Sequence, residues 1–295
     1  MEYMKKLILF FMLCAVSSAA LQARTVDVSA AYIGSSRFDQ VRAGAAAALS
    51  LNQLAGVEAK YIKEKDFKDP IYSVNVPFRM DFDLLKINIT PFYYFKNKSD
   101  NPAYQDASAY GLATQFIMTL EDDEVNDLYT HAYIGVAYAR QKGTAFYDDG
   151  SESDENYSQM AYTLGLHKNF FRAFGFEAAA SVFQYPDGIT GLKSFRGVMD
   201  QQELAFTQTF DVVHDLAKYT LGARITRMWT DNHSTLYLGY RYGEYYTADP
   251  EHSFMVGNSF TVARAVSADI AYNHVRTIHN DNKRDILYAR LAVSF

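Results

Sequence analysis

The chain has 295 residues, 49% apolar and 15% aromatic, with 23 Tyr and 21 Phe against a single Trp, yet its mean hydropathy is only -0.19. Apolar residues are diluted by polar ones instead of gathered into runs, and beyond residue 23 no stretch approaches the ~20 apolar residues of a membrane helix. A formal charge of -6 argues against nucleic acid, whose phosphates demand a basic face, and the single cysteine, Cys14, leaves no disulfide or cysteine metal site to the rest of the chain.

The N-terminal segment has three parts. Lys5 and Lys6 form a basic end, Leu7 to Val16 an apolar centre, and Ser17 to Ala23 a stretch of small residues. This is the layout of a secretory signal. Cleavage is expected after Ala23, with Ala20 as the alternative. Leu13 precedes Cys14 where lipidation would require a small residue, so Cys14 is expected to be discarded. The remainder, residues 24–295, is read as one domain.

From Arg24 onward the pattern has period two, which puts alternate side chains on opposite faces of a strand. Val26 to Gly34, Val41 to Leu51 and Gly56 to Glu64 open the series. The clearest alternation follows: Tyr72, Val74, Val76, Phe78, Met80 and Phe82 take one face, and Ser73, Asn75, Arg79 and Asp81 the other. Further strands are expected at Lys86 to Lys96, Ala107 to Leu120, Leu128 to Gln141, Tyr157 to Lys168, Phe174 to Tyr185, Gln201 to Val212, Tyr219 to Thr226, Leu236 to Tyr242, Phe254 to Arg264, Val266 to Thr277 and Leu287 to Phe295. Their lengths match the ~9 to 11 tilted residues that cross a bilayer.

Short turns at Asn52-Gln53, Asp231-Asn232-His233 and Ala265 suit one rim, and the polar stretches Asn97 to Asp106 and Gly143 to Asn156 the other. With both termini at the inner rim, Phe174 to Tyr185 and Gln201 to Val212 would both run outward. A descending strand must then lie between them, and Ile189 to Val198 is the candidate. The expected fold is therefore all-β, a closed antiparallel transmembrane barrel of sixteen strands, with fourteen as the alternative. Pro77 and Pro91 fall inside neighbouring strands, where a local bulge is expected.

The final residues, Leu291-Ala292-Val293-Ser294-Phe295, resemble the C-terminal insertion signal of bacterial outer-membrane barrels, in which a terminal Phe follows apolar residues at alternate positions. The resemblance is to porins and their relatives at large. It implies an insertion signal carried by Leu291, Val293 and Phe295, contact with the barrel-assembly machinery, and surroundings of outer-membrane lipid and lipopolysaccharide. Six residues from the end, where that family often has Gly, this chain has Arg290.

If the apolar set faces lipid, the alternate set faces the interior. It includes Glu58, Lys60, Arg79, Asp81, Glu177, Asp211, Arg224, Arg241, Asp269 and Arg290, of both signs, as candidates to line a pore. The leading expectation is a porin-like barrel passing small hydrophilic solutes. The alternatives are a structural or surface-interaction barrel with a filled lumen and a lipid or peptide hydrolase at the outer rim. The hydrolase would use His252, His274 or His279 with Asp281 or Asp285. His131 and His167 are expected to point inward as hydrogen-bonded residues. The acidic runs Glu121 to Glu124 and Asp148 to Glu155, the second on a long outer loop, lack the ligand spacing of a calcium loop. No cofactor or metal is expected.

Mass spectrometry of the protein recovered from outer membranes is expected to give a chain that starts at Arg24. A start at Met1 would overturn the reading of residues 1–23.

Overall fold

The computed structural model describes residues 25–64, 69–97, 107–123, 128–170, 173–199, 216–229, 234–279 and 282–295. They form sixteen strands. The first eight are β1 (Val26–Ser35), β2 (Phe38–Ser50), β3 (Gln53–Glu64), β4 (Ile71–Asn75), β5 (Phe78–Phe82), β6 (Leu85–Asn97), β7 (Ala107–Asp123) and β8 (Leu128–Tyr147). The second eight are β9 (Glu152–Phe170), β10 (Phe174–Gln184), β11 (Leu192–Arg196), β12 (Ala217–Trp229), β13 (Ser234–Tyr245), β14 (Glu251–Ala263), β15 (Val266–Thr277) and β16 (Lys283–Ser294).

The strands of the wall pair antiparallel in chain order, β4 and β5 in turn between β3 and β6, and β1 pairs with β16 from Asp27↔Ser294 to Ser35↔Ile286, which closes the wall. Val26 and Phe295 exchange backbone hydrogen bonds of 3.1 and 2.8 Å at the seam. Closure leaves no strand edge in the hydrocarbon, where no water could satisfy it. The closed wall has fourteen positions, because β4 and β5 share one of them and β11 stands outside the count.

The structure corrects the expected role of Ile189 to Val198. β10 pairs directly with β12, from Phe174↔Arg227 to Val182↔Tyr219, so no descending strand lies between them. The segment instead supplies β11, which pairs with the outer end of β8 from Leu192↔Tyr147 to Arg196↔Thr144. Gln201 to Val212 lies outside the described residues. The stretch Gly143 to Asn156 is also largely strand: β8 and β9 run on to Phe146↔Glu152, leaving a tight turn at residues 148–151. The acidic residues there project from a hairpin above the rim.

Pro77 separates β4 from β5 without a bulge. Glu58↔Asn75 is followed by Ala55↔Phe78, so the register resumes unchanged. The proline carbonyls still accept, Pro77 from Gly56 N–H at 2.8 Å and Pro91 from Val76 N–H at 3.0 Å. Each proline lacks the returning donor of its pair, and the ladder has a gap in place of an extra residue.

Side chains divide as the alternation requires. Ile134, Leu164, Val182, Ile225, Leu238, Ile270 and Leu287 point outward, each more than half exposed to whatever surrounds the barrel. Outward Tyr32, Tyr72, Tyr93, Tyr110, Tyr240 and Tyr272 ring the end opposite the termini, and Phe82, Phe170, Phe174, Trp229 and Phe295 the end that carries them. Such aromatic belts mark the two interfaces of a bilayer. Arg227 sits 4.4 Å from the Trp229 ring and 5.3 Å from the Phe174 ring in the inner belt.

Inward aromatics lie flat across glycines on the next strand. Tyr133 covers Gly165, its direct partner, and Tyr237 covers Gly257 in the same way. A Cβ added at Gly165 would meet Tyr133 Cζ at 2.1 Å, and one at Gly257 would meet Tyr237 Cζ at 2.3 Å. Gly165→Val and Gly257→Val are each expected to cost about 1 to 3 kcal/mol, read as a lower urea midpoint of the detergent-solubilised barrel. Gly44→Ala, whose new Cβ meets nothing nearer than 3.4 Å, should leave it unchanged.

Candidate functional site

Nine of the ten interior candidates, Glu58, Lys60, Arg79, Asp81, Glu177, Arg224, Arg241, Asp269 and Arg290, lie on inward positions of their strands. Asp211 lies outside the described residues. Period two had placed these side chains on one face; the barrel brings them into relation across strands.

Two series of the same geometry run round the wall. In the first, the Tyr133 hydroxyl on β8 passes over Gly165 on β9 and donates to Glu177 Oε1 on β10 at 3.4 Å. Arg224, directly opposite on β12, bonds Glu177 Oε2 at 2.6 Å. In the second, the Tyr237 hydroxyl on β13 passes over Gly257 on β14 and donates to Asp269 Oδ1 on β15 at 2.6 Å, and Arg290 stands opposite on β16. In each series the acid lies two residues before the alanine facing the glycine, Ala179 or Ala271. The Arg224 guanidinium, 5.8 Å from the Tyr237 ring centroid, joins one series to the next.

A small cavity of about 40 Å³, room for a water molecule or two, opens beside the first series. Tyr133, Glu177, Arg224, Arg241, Ser253 and Asn273 line it. Opposite, Arg79 Nε bonds Asp81 Oδ1 at 2.6 Å, and Glu58 accepts from Asn75 at 3.3 Å and faces Lys60 at 3.8 Å. Charges therefore occur as close pairs, the arrangement that low-dielectric surroundings require.

Depth separates these pairs. Arg79 and Asp81 side chains are 42% and 39% exposed, and Arg290 is exposed inside the closed wall. Nearer the outer end, Glu251 accepts from Arg284 at 2.5 Å and lies 3.9 Å from Arg241, whose side chain is 4% exposed. Neutral rungs cross the strands at similar depth: Gln141 to Gln159 at 3.1 Å, Thr163 with Ser181 at 2.6 Å, and Ser253 to Asn273 at 2.6 Å. Glu251 and Arg284 were not among the residues singled out from the sequence, although their parity with the inward residues of their own strands could have found them. Tyr133 and Tyr237 were missed because their role depends on glycines met only across the sheet.

Beside these polar groups the outer half of the lumen also holds an apolar cluster. Inward Ile62, Ile71, Phe92, Tyr94, Phe183 and Tyr245 pack with alanines of β7, β8, β9 and β12 in one buried cluster. Val198 and Met199, from the segment after β11, belong to that cluster and are 0% and 1% exposed. The segment that leaves the wall after β10 thus turns into the barrel. On its way Asp187 accepts from the Ser158 N–H at 2.7 Å, a bond that holds its carboxyl below the usual carboxylate range.

The expected acid–histidine pair forms at the outer rim, with His274 Nδ1 2.8 Å from Asp285 Oδ1 and the Tyr272 hydroxyl donating to the same oxygen at 2.5 Å. It faces outward with Tyr272 and Leu287. Among the described residues the polar partner of His274 is Asp285 alone, so no hydroxyl is held on the imidazole as a nucleophile. His252 Nδ1 meets the Tyr240 hydroxyl at 2.6 Å, His279 is exposed, and Asp281 lies outside the described residues.

His131 and His167 point inward as expected, stacked with centroids 6.3 Å apart; Thr119 and Asn169 hold their ring nitrogens at 3.2 and 2.9 Å. Glu121 pairs with Lys168 at 3.2 Å and accepts from Thr130 at 2.7 Å. In the hairpin turn Asp149 accepts from Ser151 and Glu155 from Tyr147 and Ser153. No group of three metal-ligating side chains occurs among the described residues. Of the terminal signal, Leu291 and Phe295 are exposed outward and Val293 sits between Val28 and Val266.

Glu251 is the carboxylate between two buried guanidinium groups, Arg241 and Arg284. Glu251→Ala is expected to cost about 3 to 5 kcal/mol, and Asp81→Asn, in an exposed pair, less than about 1 kcal/mol. Urea midpoints of the two variants check the order.

No family model and no curated protein sequence matches the chain. Solved structures do. The CymD monoaromatic hydrocarbon channel aligns with a TM-score of 0.55 at 7% identity, over 96% of this chain and 92% of that one. CdiB from Acinetobacter baumannii aligns at 0.52 and 7% identity over 92% of this chain, which spans 60% of the CdiB chain. At such identity the likeness is one of fold, and the fold is that of the bacterial outer-membrane β-barrels.

Proposed function

We propose that the chain is an outer-membrane channel through which small solutes pass passively along the barrel interior. The observation that carries this reading is the inner half of the lumen, where Arg79, Asp81 and Arg290 meet water inside a wall whose outer face is apolar. Fixed charges of both signs around an aqueous path set its ion preference and favour hydrophilic groups. Glu58, Lys60, Glu177, Arg224, Arg241 and Asp269 complete the proposed lining. The fold shared with a channel supports the same reading.

A structural or surface-interaction barrel with a filled lumen is the second reading. The apolar packing of Val198 and Met199 inside the outer half favours it. Under either reading, residues 1–23 are removed on export, the final strand is delivered by Leu291, Val293 and Phe295 to the assembly machinery, and the outer aromatic belt meets lipopolysaccharide.

Planar-bilayer recording separates the two. Stepwise currents from the purified protein are expected, and well-folded protein that never conducts would overturn the channel. Changing Arg79, Arg224 and Arg290 together to Ala leaves their acidic partners facing the path. The reversal potential should then move toward cations; an unchanged value would remove these side chains from the pathway.

A further inference from the structure

The interior is polar where it opens at the inner end and apolar where Val198 and Met199 enter it. Building on the channel reading above, we propose that its solutes are amphiphilic: an apolar group of the solute occupies the place of Val198 and Met199, and a polar group engages the inner belt.

The seat is built from two kinds of residue. Ala107, Ala109, Ala113, Ala137, Ala139 and Ala161, on three neighbouring strands, keep the wall thin and make a hollow. Phe92, Tyr94, Phe183 and Tyr245 surround it with aromatic surface, each no more than 6% exposed. The chain fills this hollow with its own side chains. Val198 and Met199 follow β11 and belong to no strand of the wall, so moving them breaks no barrel ladder. Methionine, unbranched and polarisable, suits a contact that is made and remade.

A wholly hydrophilic solute that displaces these two residues exposes the hollow and both side chains to water, with nothing gained in return. A solute with an apolar group restores the contacts that it breaks. A ligand shifts an equilibrium only by its differential affinity for the two states, and here the difference lies in apolar burial. Past the hollow, the Tyr133–Glu177–Arg224 and Tyr237–Asp269–Arg290 series offer donors and acceptors to hydroxyl or charged groups. Along the path the apolar seat, beside the Arg241–Glu251–Arg284 group, precedes the inner polar belt.

Proteoliposome swelling with phenyl β-glucoside and with maltose, corrected for protein-free liposomes, tests the proposal in the unmodified protein. Phenyl glucoside is expected to enter about tenfold faster, since burying roughly 60 Å² of apolar surface supplies that factor. In Val198→Asp/Met199→Asp the segment favours water and leaves the hollow open, so both sugars should enter faster while phenyl glucoside keeps its lead, since the apolar burial that separates them is unchanged; loss of that lead would overturn the seat. Val198→Gly/Met199→Gly, a milder change, should speed both sugars in the same direction. Equal rates for the two sugars in a conducting wild-type barrel would overturn the amphiphile proposal and leave the channel standing. Absence of both swelling and current in the wild type and in both variants would overturn the channel itself.

Discussion

Hydrocarbon offers a peptide group nothing to bond with, and every feature of this barrel answers to that fact. Each N–H and C=O within the bilayer must find a partner on a neighbouring strand, so the sheet has to meet itself, as it does at β1 and β16. Once the wall is closed, the pleat dictates that one side chain in two faces acyl chains and the next faces an enclosed space. The prolines show how tightly the rule holds. Pro77 and Pro91 each withhold a donor, yet each keeps its carbonyl bonded and the register passes through unchanged.

The enclosed space imposes its own condition. Charges held in a narrow lumen lose part of their hydration, and those of the interior compensate by pairing. Glu177 has Arg224 and Tyr133, Asp269 has Tyr237, and Glu251 has Arg284 and Arg241. Tyrosine serves this network because its ring can lie on a glycine while its hydroxyl reaches the second strand away. The Tyr–Gly–acid arrangement occurs twice with the same offset, so the belt is a property of local sheet geometry as much as of charge.

The proposed function rests on the difference between the two halves of the lumen. The inner half exposes Arg79, Asp81 and Arg290, whereas in the outer half Val198 and Met199 are buried among apolar side chains. A wall alone would make a wide tube. The inturned segment sets an apolar cluster beside the polar groups of the outer half, and under the proposed channel function that contrast with the inner belt is the basis for choosing among solutes.

The amino-acid sequence by itself determined the face of each residue, because alternation is a local consequence of the pleat: all nine described interior candidates point inward, and Tyr72, Leu238 and Leu287 point outward as read. It determined the barrel class for the same reason, since segments of bilayer length with one apolar face have few other stable arrangements. Tertiary structure decided everything that depends on which strands become neighbours. Alternation in Ile189 to Val198 carried no mark that β12 would pair with β10 and leave this segment to become β11, nor that its end would fold inward. Gly165 and Gly257 are ordinary strand glycines until Tyr133 and Tyr237 are laid over them, and Glu177 acquires Arg224 across 47 positions of chain. Periodicity records the environment of each residue in its own strand; contact between strands is set by register and closure, which only the assembled wall contains.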